Sequence, residues 1–225
     1  MPNPKNKSAT PSKHRILIVD DHPIFSMGMT ELINQEAALT VCGSSDDLAT
    51  ARRAIEQLKP DLIILDISLK TGNGIDLIEE MTYRGSALPI LVLSMHDETI
   101  WAERCIRAGA KGYLMKQEAP ESVVAAIENI LAGRLHVSER IMGRVLSLLK
   151  QQPEKSSVSP INRLTDRELQ VLQLIGKGLT SREIAASMNL SIKTIGTYRE
   201  RIKEKIGLRS AAELMRYAVL LDAPP

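Results

Sequence analysis

The chain has 225 residues, 44% of them hydrophobic and 25% charged, enough for two small domains with aliphatic cores. Aromatics make up only 3%, a poor supply of stacking platforms for single-stranded nucleic acid, and no apolar run approaches the roughly 20 residues a membrane helix needs. The net charge of +2 divides unevenly, with −8 over residues 14–132 and +4 over 162–225, so an acidic front is joined to a basic back that suits a polyanion.

In chain order, residues 1–13 are basic and have no apolar stretch behind them, which predicts a disordered tail rather than a secretory signal. RILIV (15–19) is an apolar strand ending at Asp20 and Asp21, and a helical pattern follows from Pro23 to about Glu36. LTVCG begins a second strand at Leu39, ahead of a helix through Ala49, Ala51, Ala54, Ile55 and Leu58. DLIILD (61–66) is a third strand, 75–81 a helix, PILVLS (89–94) a fourth strand and 98–108 a helix. GYLM (112–115) and the helix at 120–131 complete the alternation. Strands that are apolar throughout, separated by helices, predict an α/β doubly wound domain with a five-stranded parallel sheet.

After Gly133 no further strand is expected. A helix over 138–149 leads into KQQPEKSSVSP (150–160), whose Gln, Pro, Ser and Lys mark a flexible linker within 133–160. The rest, 161–225, reads as a small all-α domain of four helices. Thr165 with Glu168, Thr180 with Glu183, and Ser210 with Glu213 all have capping-box spacing. Ser191 opens a helix with Ile195, Tyr198, Ile202 and Ile206 on one face. Cys42 and Cys105 have no paired spacing, so no disulfide or zinc framework is suggested, and the cytoplasm is the expected compartment.

In a doubly wound sheet, ligands bind beyond the carboxyl ends of the strands. Asp20, Asp21, Asp66, Ser94 and Lys116 all fall there. Crowded carboxylates make a site for a hard divalent cation such as Mg²⁺, and a carboxylate beside a cation and a Lys can accept a phosphoryl group. Each residue alone also fits a cap, a turn or a solvated charge; their joint arrival at strand ends favours a site. In the basic half, the helices near 180–188 and 191–206 have helix-turn-helix spacing, with the motif expected at 182–203. Lys193, Thr194 and Thr197 fall near the groove floor, and Arg199, Arg201 and Lys203 along the phosphates.

IVDDH (18–22), LIILDISL (62–69), LVLSMH (91–96) and AGAKGYLMK (108–116) resemble the receiver domain of bacterial response regulators over 15–131. The segment 164–208 resembles the LuxR-type DNA-binding domain, so the whole is similar to the NarL/FixJ family. The resemblance implies Asp66 as phosphoacceptor. Mg²⁺ would be held by Asp20, Asp21, Asp66 and the backbone carbonyl of Ser68. Lys116 would bind the phosphoryl group, with Ser94 and Tyr113 as the switch pair. It also implies a sensor histidine kinase, promoter DNA and a homodimer as partners, and no membrane. Two departures stand out. Lys70 replaces a common Pro, and Gly196 stands where Lys is common. A phosphorylation-independent regulator and an Asp-nucleophile phosphatase are the rival readings. The phosphatase pattern wants a second Asp where this chain has Ser68.

Overall fold

The computed structural model describes residues 12–69, 72–143 and 160–222. Its first half alternates β1 (His14–Val19), α1 (Pro23–Gln35), β2 (Leu39–Ser45), α2 (Leu48–Leu58), β3 (Leu62–Leu65) and α3 (Gly74–Tyr83). It continues with β4 (Ile90–Ser94), α4 (Glu98–Ala108), β5 (Gly112–Met115) and α5 (Pro120–Leu131). All pairings are parallel, in the order β2-β1-β3-β4-β5. The chain therefore reverses its winding between β1 and β3, and the crevice there opens at the carboxyl ends of those two strands.

Strand side chains divide between two helical layers with the period of two that a pleated strand imposes. Ile16, Ile18, Leu62, Ile64, Leu91 and Leu93 bury one face together with Val123, Ile127 and Ile130 of α5. Leu17, Val19, Ile63, Leu65, Ile90 and Val92 bury the other with Ile75, Ile78 and Trp101 of α3 and α4. Because both faces are covered, the buried stretches Ile16–Val19, Leu62–Leu65 and Ile90–Leu93 are apolar at every position, whereas the edge strand β2 carries Thr40, Ser44 and Ser45.

Beyond Gly133 the chain is more tightly bound to the sheet than a free linker would be. His136 forms a parallel bridge beside Gly112, donating its N–H to the Lys111 carbonyl (3.0 Å) and accepting from the Tyr113 N–H (3.0 Å). Ser138 then donates to Glu98 of α4 (3.0 Å), Ile141 is fully buried, and residues 139–143 are helical. The rest of the expected connector helix, the expected linker up to residue 159, Lys70 and most of the N-terminal tail lie outside the described residues.

The second half holds α6 (Asp166–Gly176), α7 (Ser181–Ser187), α8 (Ile192–Ile206) and α9 (Ala211–Asp222). Thr165 and Thr180 form complete capping boxes with Glu168 and Glu183. The third differs: Ser210 accepts from the Glu213 N–H (3.1 Å), but the Glu213 carboxylate turns to the Arg209 N–H (2.7 Å). The helical domain sits against α3 and α4, and its core is continuous with the apolar layer they cover. Arg104 donates to Asp166 (2.6 Å) and to the Ile161 carbonyl (3.1 Å), and Arg167 donates to Asp76 (2.5 Å).

Gly74 marks how closely α3 approaches the end of β3. A Cβ there would lie 2.6 Å from the Asp66 carbonyl oxygen and 2.8 Å from Ile67 Cα, both backbone atoms that cannot step aside alone. Gly74→Ala should destabilise the protein by about 2 kcal/mol in urea unfolding, within the usual cost of overpacking. An unchanged midpoint would show that the β3–α3 turn is softer than this packing implies.

Candidate functional site

Asp20 and Asp21 follow β1, Asp66 follows β3, Ser94 ends β4 and Lys116 follows β5, so the sheet delivers all five side chains to one crevice. Asp20, Asp21, Asp66 and Ser94 are buried. The Lys116 ammonium lies 2.6 Å from carboxylate oxygens of both Asp20 and Asp66, and 4.5 Å above the Phe25 ring. Its backbone N–H donates to the Ser94 carbonyl (2.8 Å), which fixes the root of the side chain. Burial pushes the Asp66 carboxyl above the ordinary carboxylate range, with the Lys116 ammonium pulling the other way.

His22 belongs to this cluster, although its residue type gave no reason to assign it a role. Its Nδ1 is 3.0 Å from Asp20, 2.9 Å from Asp21 and 3.8 Å from Asp66. Ligating atoms of Asp20, Asp21, His22 and Asp66 all lie within 4.8 Å of one another. Three buried carboxylates facing one buried ammonium leave an excess of negative charge. With the oxygen-rich donor set, that charge fits a hard divalent cation.

Ser68 donates its N–H to Asp66 Oδ1 (3.0 Å), and its hydroxyl lies 2.5 Å from His96 Nε2. The His96 N–H donates to the Ser94 hydroxyl (3.2 Å), and the Tyr113 hydroxyl donates to the His96 carbonyl (2.8 Å). Tyr113 is 1% exposed, so its ring is packed inside the domain. Burial, with the positive charges of Lys177 and Lys116, lowers His96 to about 4, so its imidazole is neutral at physiological pH.

Two openings flank the crevice. One, of about 630 Å³, lies between α1 and the β2–α2 loop beside Asp20, Asp21, Ser26, Thr30 and Asp46. The other, of about 250 Å³, is walled by both domains, with Asp21, His22, Ser68 and His96 facing Gln173 and Lys177.

In the helical domain, α7 and α8 form the expected helix-turn-helix, turning through Asn189 at φ +54°. Ser191 caps α8 by accepting from the Thr194 N–H (3.0 Å). Ile195 and Ile202 are fully buried, whereas Tyr198 and Ile206 are only partly so. Lys193, Thr197 and Arg201 are exposed. The other three expected contact residues are partly covered: the Thr194 hydroxyl is 2.8 Å from that of Ser191, Arg199 reaches Ser181 (3.5 Å) and Lys203 pairs with Glu200 (2.9 Å). Leu214 and Ala218 of α9 are core, and its outward apolar residues are Met215, Val219 and Leu220.

Two family models account for most of the chain: the response regulator receiver domain over residues 16–128, and the luxR family of bacterial regulatory proteins over 162–218. The virulence-factor transcription regulator BvgA of Bordetella pertussis is 32% identical over 210 residues, covering 91% of this chain and 96% of that protein. The oxygen regulatory protein NreC of Staphylococcus aureus is 29% identical, with the same coverage. Among solved structures, the response regulator RcsB of Salmonella typhimurium aligns with a TM-score of 0.69 and 26% identity, over 93% of this chain and 98% of that one. RcsB bound to promoter DNA with the phosphomimetic BeF₃⁻ aligns with a TM-score of 0.67 and 25% identity, over 92% and 98%. Fold and site thus define a receiver joined to a LuxR-type DNA-binding domain. The chain belongs to the NarL/FixJ family of response regulators, whose members are DNA-binding transcription regulators.

α8 is fixed in its domain partly by Lys205, which donates to Glu168 of α6 (2.6 Å); Glu168 is 1% exposed and also accepts from the Thr165 N–H (2.8 Å). Burial raises the Glu168 carboxyl, but the Lys205 and Thr165 hydrogen bonds outweigh it and hold it below the ordinary range. A depressed folded pKa stabilises above the unfolded value, and that stability is lost as pH falls through the folded one. Glu168→Gln should therefore cost about 2 kcal/mol at pH 7, and the difference from wild type should shrink as pH falls below about 4. A pH-independent difference in urea unfolding would contradict this account.

Proposed function

We propose that this protein is a phosphorylation-controlled transcriptional regulator: Asp66 takes a phosphoryl group from a sensor histidine kinase, and the modified chain binds promoter DNA as a homodimer through α8. The observation that carries the reading is the Lys116 ammonium set 2.6 Å from both Asp20 and Asp66 at the winding reversal of the sheet. An Asp66 oxygen attacks phosphorus in line, the P–N bond of the donor phosphohistidine breaks, and its electron pair and a proton stay with the departing imidazole. Asp20, Asp21, Asp66 and the Ser68 carbonyl would hold Mg²⁺, which when bound neutralises charge on the transferring oxygens. Lys116 adds a fixed positive charge on the other side, and Ser94 supplies a hydroxyl that can turn to the phosphoryl oxygens. Tyr113 holds the adjoining loop through the His96 carbonyl.

On DNA, the N-terminal turn of α8 presents Lys193, Thr194 and Thr197 to base edges, with Arg199, Arg201 and Lys203 along the backbone. Glu200 and Glu204 dilute the positive face, which favours two weak half-site contacts over one strong one. The phosphatase reading is disfavoured because Ser68 offers no carboxylic acid and its hydroxyl is engaged by His96.

Asp66→Asn should abolish labelling of the chain by acetyl phosphate in the presence of Mg²⁺; full labelling of that variant would sink the phosphoacceptor assignment. Arg201→Ala should weaken binding about equally across DNA sequences and lower the salt-dependence slope by about 1 per protomer. A changed sequence preference with an unchanged slope would place Arg201 on bases instead.

A further inference from the structure

His22 is held over the acids of the crevice by its place in the chain. It stands between Asp21 and Pro23, and a residue before proline is confined to extended backbone; His22 has φ −104° and ψ 98°. Its N–H donates to Asp20 Oδ1 (2.8 Å), which fixes the root of the ring. The imidazole Nδ1 then lies 3.0 Å from Asp20 Oδ1, 2.9 Å from Asp21 Oδ1 and 3.8 Å from Asp66 Oδ2. A single N–H can point well at only one of these oxygens, so a hydrogen bond accounts for part of the arrangement and no more. Neighbouring donors on an octahedral ion with bonds of about 2.1 Å lie roughly 3.0 Å apart, which is the spacing of Nδ1 from the first two acids. The fold itself does not call for this side chain. His22 is the N-cap residue of α1, yet its side chain makes no capping hydrogen bond and is 60% exposed.

We propose that His22 Nδ1 is a nitrogen ligand of the divalent ion held by Asp20, Asp21 and Asp66, and that it tunes the site toward a first-row transition ion such as Mn²⁺ over Mg²⁺. This deepens the reading of those acids as cation ligands given above, and rests on it. Mg²⁺ is hard and gives up its waters reluctantly, so carboxylate oxygens serve it and an imidazole adds little. Manganese and the later ions of the row accept carboxylates as well but gain from a nitrogen donor. With metal on Nδ1, the single proton of the neutral ring sits on Nε2. No other nearby nitrogen suits this role. The Lys116 ammonium has no lone pair to give, and it lies 2.6 Å from Asp20 Oδ2, leaving Asp20 Oδ1 to the imidazole and the ion. His96 has its two ring nitrogens against the Ser68 hydroxyl (2.5 Å) and the Gln173 amide (3.2 Å).

The full-length wild type and His22→Ala would be titrated with Mn²⁺, the free ion being followed by electron paramagnetic resonance, and with Mg²⁺ in competition against bound Mn²⁺. Spin-echo modulation by nitrogen nuclei would be read on the protein-bound Mn²⁺. Wild type should show the modulation of a directly bound nitrogen, and His22→Ala should show none. The variant should lose at least about tenfold in Mn²⁺ affinity, the low end of what removing even a group that supports a ligand costs, while its Mg²⁺ affinity changes less than about twofold. Its melting temperature in metal-free buffer should match wild type. Wild-type Mn²⁺ bound without nitrogen modulation would overturn the proposal, and that spectrum needs no variant to be read. Modulation that persists in His22→Ala, or equal losses for the two ions, would overturn it as well. Wild type that takes up neither ion would instead bring down the reading of the acids as a cation site, and the proposal with it.

Discussion

One ammonium holding two carboxylates sets the character of this protein. Lys116 spans Asp20 and Asp66 with side chains that are almost wholly buried, and Asp21 adds a third acid to the same crevice. Burying charge in this way is expensive unless it is paired, and here Lys116 and His22 both face the acids. The fold tolerates it because the buried stretches of β1, β3 and β4 are apolar and covered on both faces, so the acids gather only beyond them. The result is a crevice of clustered carboxylates beside a fixed cation, in which burial raises the Asp66 carboxyl above its ordinary range.

The surroundings of the crevice tie it to the rest of the molecule. Tyr113 is buried beside the crevice and ties down the loop of His96 through that residue's carbonyl. That loop also meets the helical domain, whose α6 forms one wall of the smaller opening.

Most of the architecture was legible in the sequence, because apolar runs, capping hydroxyls and strand-terminal acids each carry a local physical signature. The α4, β5 and α5 boundaries fall where the pattern placed them, and Asp20, Asp21, Asp66, Ser94 and Lys116 converge as expected. Contacts between distant segments left no such trace. His96 and Gln173 meet across 77 positions, and neither residue type at its place demands a partner. The bridge from His136 to β5 was missed for a related reason, as a single pairing lacks the alternation or apolar run that announces a strand. Glu213 shows the limit of spacing rules: its position suits a capping box, yet the nearer free N–H is that of Arg209.

The His136 bridge has a further consequence. β5 is an edge of the sheet, and an edge strand offers unpaired backbone groups on which another chain can polymerise. By occupying the Lys111 carbonyl and the Tyr113 N–H, the start of the connector blunts that edge with the protein's own backbone. The guard belongs to the sheet side of the connector, so this edge is covered without any help from the helical domain.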